Sequence, residues 1–163
     1  MALYVGEADS TMDDKNRLTI PKKFRKLMSD DADADLEVWV IPGYGDADFM
    51  IMDSDHGGRW AQTIMKVGIG GGKVARKKRL LALSERVEVD KQGRALIPQN
   101  FLERCNVTAR EFKVAGHGDY LAVYSPSSWQ RFQASLSKDE LDGLWDDAGS
   151  GDASEMAGDG TIE

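Results

Sequence analysis

The sequence predicts an α+β fold, mainly β, in which two small halves share one core. Three observations predict it. One stretch is used twice: Asp13, Asn16, Arg17, Ile20, Pro21 and Phe24 recur as Asp90, Gly93, Arg94, Ile97, Pro98 and Phe101, at a constant offset of 77 residues. Short apolar runs bounded by Gly, Pro, Asn and Asp read as strands and turns, with few segments long enough for substantial helices. Each half would be only about 60 residues long, too small to bury much surface alone, so interlocking halves are favoured.

The chain opens with Leu3 to Ala8, a strand leading through Ser10, Thr11 and Met12 into the first turn. Asn and Gly are the residues that enter positive φ at least cost, so Asp-x-x-Asn/Gly before a β-branched run reads as a hairpin turn. An Asp four residues before an Arg can accept hydrogen bonds from loop N–H groups or from the guanidinium, and either contact fixes the Arg. A fixed guanidinium at a turn tip suits a phosphate or the acceptor edge of a guanine. Equally, Asp and Arg could do no more than staple the hairpin to itself. Leu18 to Ile20 leaves the turn as a strand, and Pro21 to Met28 is a short helix begun by proline, with Phe24 pointing to the core. Its polar side carries Lys22, Lys23, Arg25 and Lys26, either as phosphate contacts or as a solvated face.

Asp30 to Asp35 resembles part of a calcium loop but fails its pattern, because Leu36 and Pro42 stand where Gly and a bidentate Glu are required. It reads as an exposed acidic connection. Glu37 to Ile41 and Asp48 to Met52 are strands around a Pro42-Gly43-Tyr44-Gly45-Asp46 turn. Arg59 to Val67 is expected as a helix with Trp60, Ile64 and Val67 on one face. Gly68 to Lys73 lacks the spacing and the Ser or Thr of a phosphate loop and reads as a hinge. The basic cluster Arg76 to Arg79, followed by Leu80, Leu81 and Leu83, predicts a connecting helix whose apolar end docks on the core.

The second half repeats the order. Arg86 to Val89 enters the second turn, Ala95 to Ile97 leaves it, and Pro98 to Cys105 is the short helix. Glu111 to Ala115 and Tyr120 to Tyr124 flank a Gly116-His117-Gly118-Asp119 turn. Ser125 caps a final helix with Pro126 in its first turn and Trp129, Phe132 and Leu136 as its buried stripe, which gives Trp60 and Trp129 equivalent places. Beyond Ser137, Lys138 to Asp147 can extend as a helix through Leu141, Leu144 and Trp145. Ala148 to Glu163 has almost nothing to bury and is expected to be disordered, as a solubilising tail or a mimic of DNA. The expected organisation is 1–67, first half; 68–84, linker; 85–137, second half; 138–163, acidic tail.

The net charge of −7 conceals a division along the chain. Residues 1–28 carry net +2 and residues 66–110 net +7, while 29–65 and 138–163 are each −8, so both copies of the motif lie in basic stretches. The single cysteine, Cys105, forbids an intrachain disulfide and suits a reducing compartment. With no leader pattern and no long apolar run, the chain is expected to be soluble and cytoplasmic. His56 and His117 are expected in Gly-rich turns, no pair has metal-ligand or nucleophile–base spacing, and no enzyme, metal or cofactor is expected.

The doubled turn with its x-I-P run resembles the MraZ family, regulators built from two SpoVT/AbrB-like halves marked by D-x-x-G-R; the likeness covers residues 1 to about 137. Asn16 departs from the family's Gly. The resemblance implies a double swapped-hairpin AbrB-like barrel with short peripheral helices, both turns on one side. It also implies a sequence-specific DNA-binding transcription regulator, nucleoid-associated, acting on a division and cell-wall gene cluster that includes its own promoter, and assembling as a homo-oligomer ring on direct repeats of double-stranded DNA. Carried onto this sequence, Arg17 and Arg94 would contact DNA, Asp13, Asp90, Asn16 and Gly93 would shape the turns, and Lys15, Lys22, Lys23, Arg25 and Lys91 would add phosphate contacts. The AbrB-like barrel also serves antitoxins, which leaves a protein-interaction module as the alternative.

Overall fold

The computed structural model describes residues 1–31, 34–66 and 72–149. Eight strands form one antiparallel sheet: β1 (Tyr4–Thr11), β2 (Arg17–Thr19), β3 (Leu36–Pro42), β4 (Phe49–Asp53), β5 (Glu85–Val89), β6 (Arg94–Leu96), β7 (Glu111–Gly118) and β8 (Leu121–Tyr124). Their spatial order is β1-β7-β8-β4-β3-β5-β6-β2, so strands from before and after residue 72 alternate in pairs around the sheet. The end strands meet through a bridge between Met12 and Leu18, and the Ser10 hydroxyl donates to the Thr19 carbonyl, which nearly closes an AbrB-like barrel. This is the mainly β architecture expected, and it gives each half the partner strands that it lacks alone.

Tyr4, Phe24, Phe49 and Phe101 are fully buried in the barrel core among Leu18, Ile20, Val38, Ile51, Ile97 and Leu121. Phe49 meets Phe101 edge-on at 5.8 Å, and Tyr4 meets Phe24 at 6.2 Å. Burying one such ring contributes about 1.5–3 kcal/mol. Phe24 and Phe101 thereby pin the two short helices, α1 (Lys22–Met28) and α4 (Gln99–Arg104). Pro21 and Pro98 stand one position earlier than expected, as N-caps: the Pro21 carbonyl accepts from Phe24 and Arg25, and the Pro98 carbonyl from Leu102.

The remaining helices differ from the sequence reading mainly at their ends. Helix α2 (Ser54–Met65) begins five residues before Arg59, because the Asp53 side chain caps it by accepting from the His56 N–H. His56 is therefore a buried helical residue, not one in a glycine turn; its Nδ1 lies 2.8 Å from Asp53 Oδ2, to which the Tyr4 hydroxyl donates at 2.5 Å. The Gly57 that suggested a turn is a packing requirement, since a Cβ there would lie 2.6 Å from the Trp39 ring. Trp60 and Ile64 face the barrel as expected, whereas Val67 and residues 68–71 of the expected hinge lie outside the described residues. Helix α3 (Gly72–Leu83) lies against α2 and β3 with Leu80, Leu81 and Leu83 half-buried.

In α5 (Pro126–Ala134), Ser125 caps and Pro126 occupies the first turn as read, with Trp129 and Phe132 half-buried; Leu136 lies past the helix end. His117 belongs to β7, not to a turn, and stacks on Tyr120 at 5.2 Å. Cys105 caps the end of α4. Helix α6 (Lys138–Gly149) extends past Asp147, and the rest of the expected tail, 150–163, lies outside the described residues. No helix among the described residues is long and apolar enough to cross a membrane.

Candidate nucleic-acid interface

Each copy of the motif closes the same small ring of bonds. Asp13 Oδ1 accepts the N–H groups of Lys15 at 3.0 Å and Arg17 at 2.9 Å, and Oδ2 accepts Arg17 Nε at 2.6 Å. In the second copy Asp90 Oδ1 accepts Gln92 and Arg94 N–H groups, each at 2.9 Å, and Oδ2 accepts Arg94 Nε at 2.9 Å. Asn16 and Gly93 supply the left-handed residue at φ 63° and 83°. An Asp four residues before the Arg thus does both things its spacing allows: it organises the turn backbone and orients the guanidinium. Because the latch takes the Nε side of the fork, the terminal amino groups of Arg17 stay free of it.

The turns are held together by β2 and β6, which pair with Arg17 opposite Leu96 and Thr19 opposite Arg94. Ile20 N–H donates to the Gly93 carbonyl and Ile97 N–H to the Asn16 carbonyl, both at 2.8 Å, so each strand is tied to the other turn. This reciprocal lacing brings the arginines together: Arg94 Nη1 is 3.8 Å from Asp13 Oδ2, the oxygen that Arg17 occupies. The Arg17 and Arg94 side chains are 31% and 26% exposed.

The helices repeat the crossing. Arg25 of α1 donates to the Gln92 carbonyl at 3.2 Å and covers Gly93 so closely that a Cβ there would fall 1.1 Å from its Nη1. Gln99 of α4 accepts from Asn16 Nδ2 at 2.7 Å. Arg110, absent from the sequence reading, donates from Nη1 to the Asp13 carbonyl and to Asn16 Oδ1, each at 2.9 Å. The Asn that replaces glycine in the first turn is therefore gripped on both sides of its amide. Nothing in the motif announces Arg110 or Gln99, because their partners lie more than eighty residues away.

The predicted bases do not all gather. Lys22, Arg25 and Lys91 line one cleft of about 450 Å³ with Asp90, which also admits Asp30, Asp31 and Asp35. Lys15 is exposed at the first turn. Lys23 turns the other way: it donates to the Glu7 carbonyl and lies 5.0 Å from the Phe24 ring centre.

The Arg17 backbone N–H above all, with its guanidinium and the Lys15 N–H, holds the Asp13 carboxyl below the usual carboxylate range. For Asp90, loss of solvent pushes upward, and the Arg94 backbone N–H and guanidinium outweigh it, so the net direction is again down. Both latches are thus stabilised as ion pairs. Among the described residues, no group of three or more His, Cys, Asp or Glu is placed to hold a metal ion.

The family description matching residues 80–143 is "MraZ protein, putative antitoxin-like". Relatives called transcriptional regulator MraZ include those of Roseiflexus castenholzii, 29% identical over 82% of this chain and 89% of theirs, and Leuconostoc citreum, 28% identical over 88% and 98%. That of Oenococcus oeni is 28% identical over 81% of this chain and 87% of its own. The family match takes in the second latched turn, and these relatives align over most of the chain, so the chain is similar to the MraZ family.

Proposed function

We propose that this chain is a transcription regulator that reads double-stranded DNA in a sequence-specific way through Arg17 and Arg94. The single observation that carries the proposal is the convergence of two carboxylate-latched guanidinium groups on one side of a barrel, with Asp13 Oδ2 within 4 Å of both. A rigid pair of planar cations has the form required to grip base edges or phosphates in a groove. Asp13, Asp90, Asn16 and Gly93 set the turns, and Lys15, Lys22, Lys91 and Arg25 add positive potential; Lys23 serves only at the edge. The relatives' printed name, transcriptional regulator, supports this reading.

Two arginines, at about 1.5–3 kcal/mol per charge-assisted bond, fall short of the roughly −8 kcal/mol of micromolar binding once association entropy is offset. Several copies on repeated sites supply the difference by avidity. We therefore assign the working form to a ring-like homo-oligomer on promoter direct repeats, with targets in a division and cell-wall gene cluster that includes its own promoter, in the cytoplasm at the nucleoid. Within each copy, 1–67 and 85–137 act as the two reading halves and 68–84 as their linker.

The test is the Arg17→Ala/Arg94→Ala variant on a fragment of DNA upstream of its own gene, with circular dichroism as a fold control. Loss of specific binding with the fold kept is expected; undiminished affinity refutes the assignment. Binding by the unaltered chain should also fall steeply with salt as counterions are released. The family description's antitoxin-like wording favours a second reading, a protein-interaction module. Stable capture of a protein partner without DNA, unaffected by the double substitution, would select it.

A further inference from the structure

Two surfaces remain unused by the reading site, and they are complementary. Helix α6 carries Leu141, Leu144 and Trp145 on one stripe at helical spacing, and these are 41%, 55% and 78% exposed. Its other face holds five acidic residues against one lysine, and that lysine is spent on Asp142 within the helix. An exposed apolar stripe rimmed by like charges is the form of a docking helix. Helix α3, of the same twelve-residue length, carries five Lys and Arg and no acid. At its end Leu83 enters a cleft of about 560 Å³ that also takes in Pro42, Ala47, Asp46, Asp48, Arg104 and Arg131, with Arg131 paired to Asp46.

We propose that α6 of one copy docks on α3 and the adjoining cleft of a second copy, with Trp145 entering the cleft between Leu83 and Arg104 and the acidic face of α6 against Arg76 and Lys77. The argument for this occupant is charge complementarity joined to matched length: the acidic helix with its apolar stripe and the basic helix that ends at the cleft are carried by the same molecule. The helix does not cover the cleft of its own chain, since Trp145 stands exposed. Because donor and acceptor surfaces differ, each copy gives one contact and receives another, and such a contact propagates from copy to copy. The inference rests on the self-association proposed above and names the surfaces that carry it; it does not depend on DNA.

The test is light scattering after size-exclusion chromatography of the full chain. Three variants are compared with it: Leu141→Glu/Trp145→Glu, Arg76→Glu/Lys77→Glu, and Asp139→Lys/Asp142→Lys. Each alone is expected to weaken assembly at least about tenfold in dissociation constant, with circular dichroism unchanged. Mixing the two charge-reversed variants is expected to restore assembly, which a merely misfolded variant cannot do. If the unaltered chain is a monomer, self-association fails and this contact fails with it. If the chain assembles and the variants assemble equally well, or the mixture does not recover, self-association stands and this contact is overturned.

Discussion

Replacing Gly93 by Ala tests whether the second turn is built as described. Gly93 sits at φ +83°, and an added Cβ would overlap the Arg25 guanidinium. An L residue in the left-handed region costs about 1–2 kcal/mol. The displaced Arg25 would also lose its bond to the Gln92 carbonyl, an exposed contact of about 0.5–1.5 kcal/mol. Together these make about 1.5–3.5 kcal/mol, which for a chain of this size lowers Tm by about 3–14 °C. The Arg25→Ala background separates the two terms. There Gly93→Ala should cost only the backbone strain, so a double-mutant cycle followed by urea denaturation should show a coupling of about 0.5–1.5 kcal/mol. An unchanged Tm would refute the left-handed turn, and equal costs in both backgrounds would refute the Arg25 contact.

Tyr4→Phe removes a buried hydroxyl that donates to the Asp53 carboxylate and should cost about 1.5–3 kcal/mol in urea denaturation, while an unmoved midpoint would deny the bond any net worth. Asp13 and Asp90 are both held below their usual range, so their latches contribute stability that is complete above about pH 5 and is lost as pH falls through the lowered folded-state values. Thermal melts across that range should show an acid limb that flattens in Asp13→Asn/Asp90→Asn; an identical limb in the variant would exclude the latches as its source. Since Asp13 Oδ2 lies near both guanidinium groups and Asp90 latches only Arg94, Asp13→Ala should lower the ratio of specific to non-specific DNA affinity more than Asp90→Ala, and the reverse ranking would contradict the shared anchor.

The parts of the fold that were legible in the sequence are those written in local chemistry. The turns could be read because an Asp, a left-handed residue and an Arg at fixed spacing carry their own bonding pattern. The short helices followed from Pro21 and Pro98, although the ring's fixed φ served the cap and not the first turn. Local chemistry misled at Ser54 to Gly58, where two glycines outweighed a good cap at Asp53. Only the tertiary packing of Gly57 beneath Trp39 explains that glycine. His56 was misplaced for the same reason. The long-range partners were illegible: Arg110 on Asn16, Arg25 on Gly93 and the shared use of Asp13 arise from the crossing of β2 and β6, which no spacing along the chain encodes.

Because Tyr4 pairs with Gly118, the opening strand of the polypeptide has no neighbour on that side until the closing hairpin is synthesised. On the ribosome the first motif is therefore complete in sequence long before it is complete in space, and for that interval Tyr4 and Phe24 are without the second-half side chains, such as Ile97, Phe101 and Leu121, that share their core. A copy truncated before β7 should consequently be a client for chaperones or proteases instead of a half-strength reader.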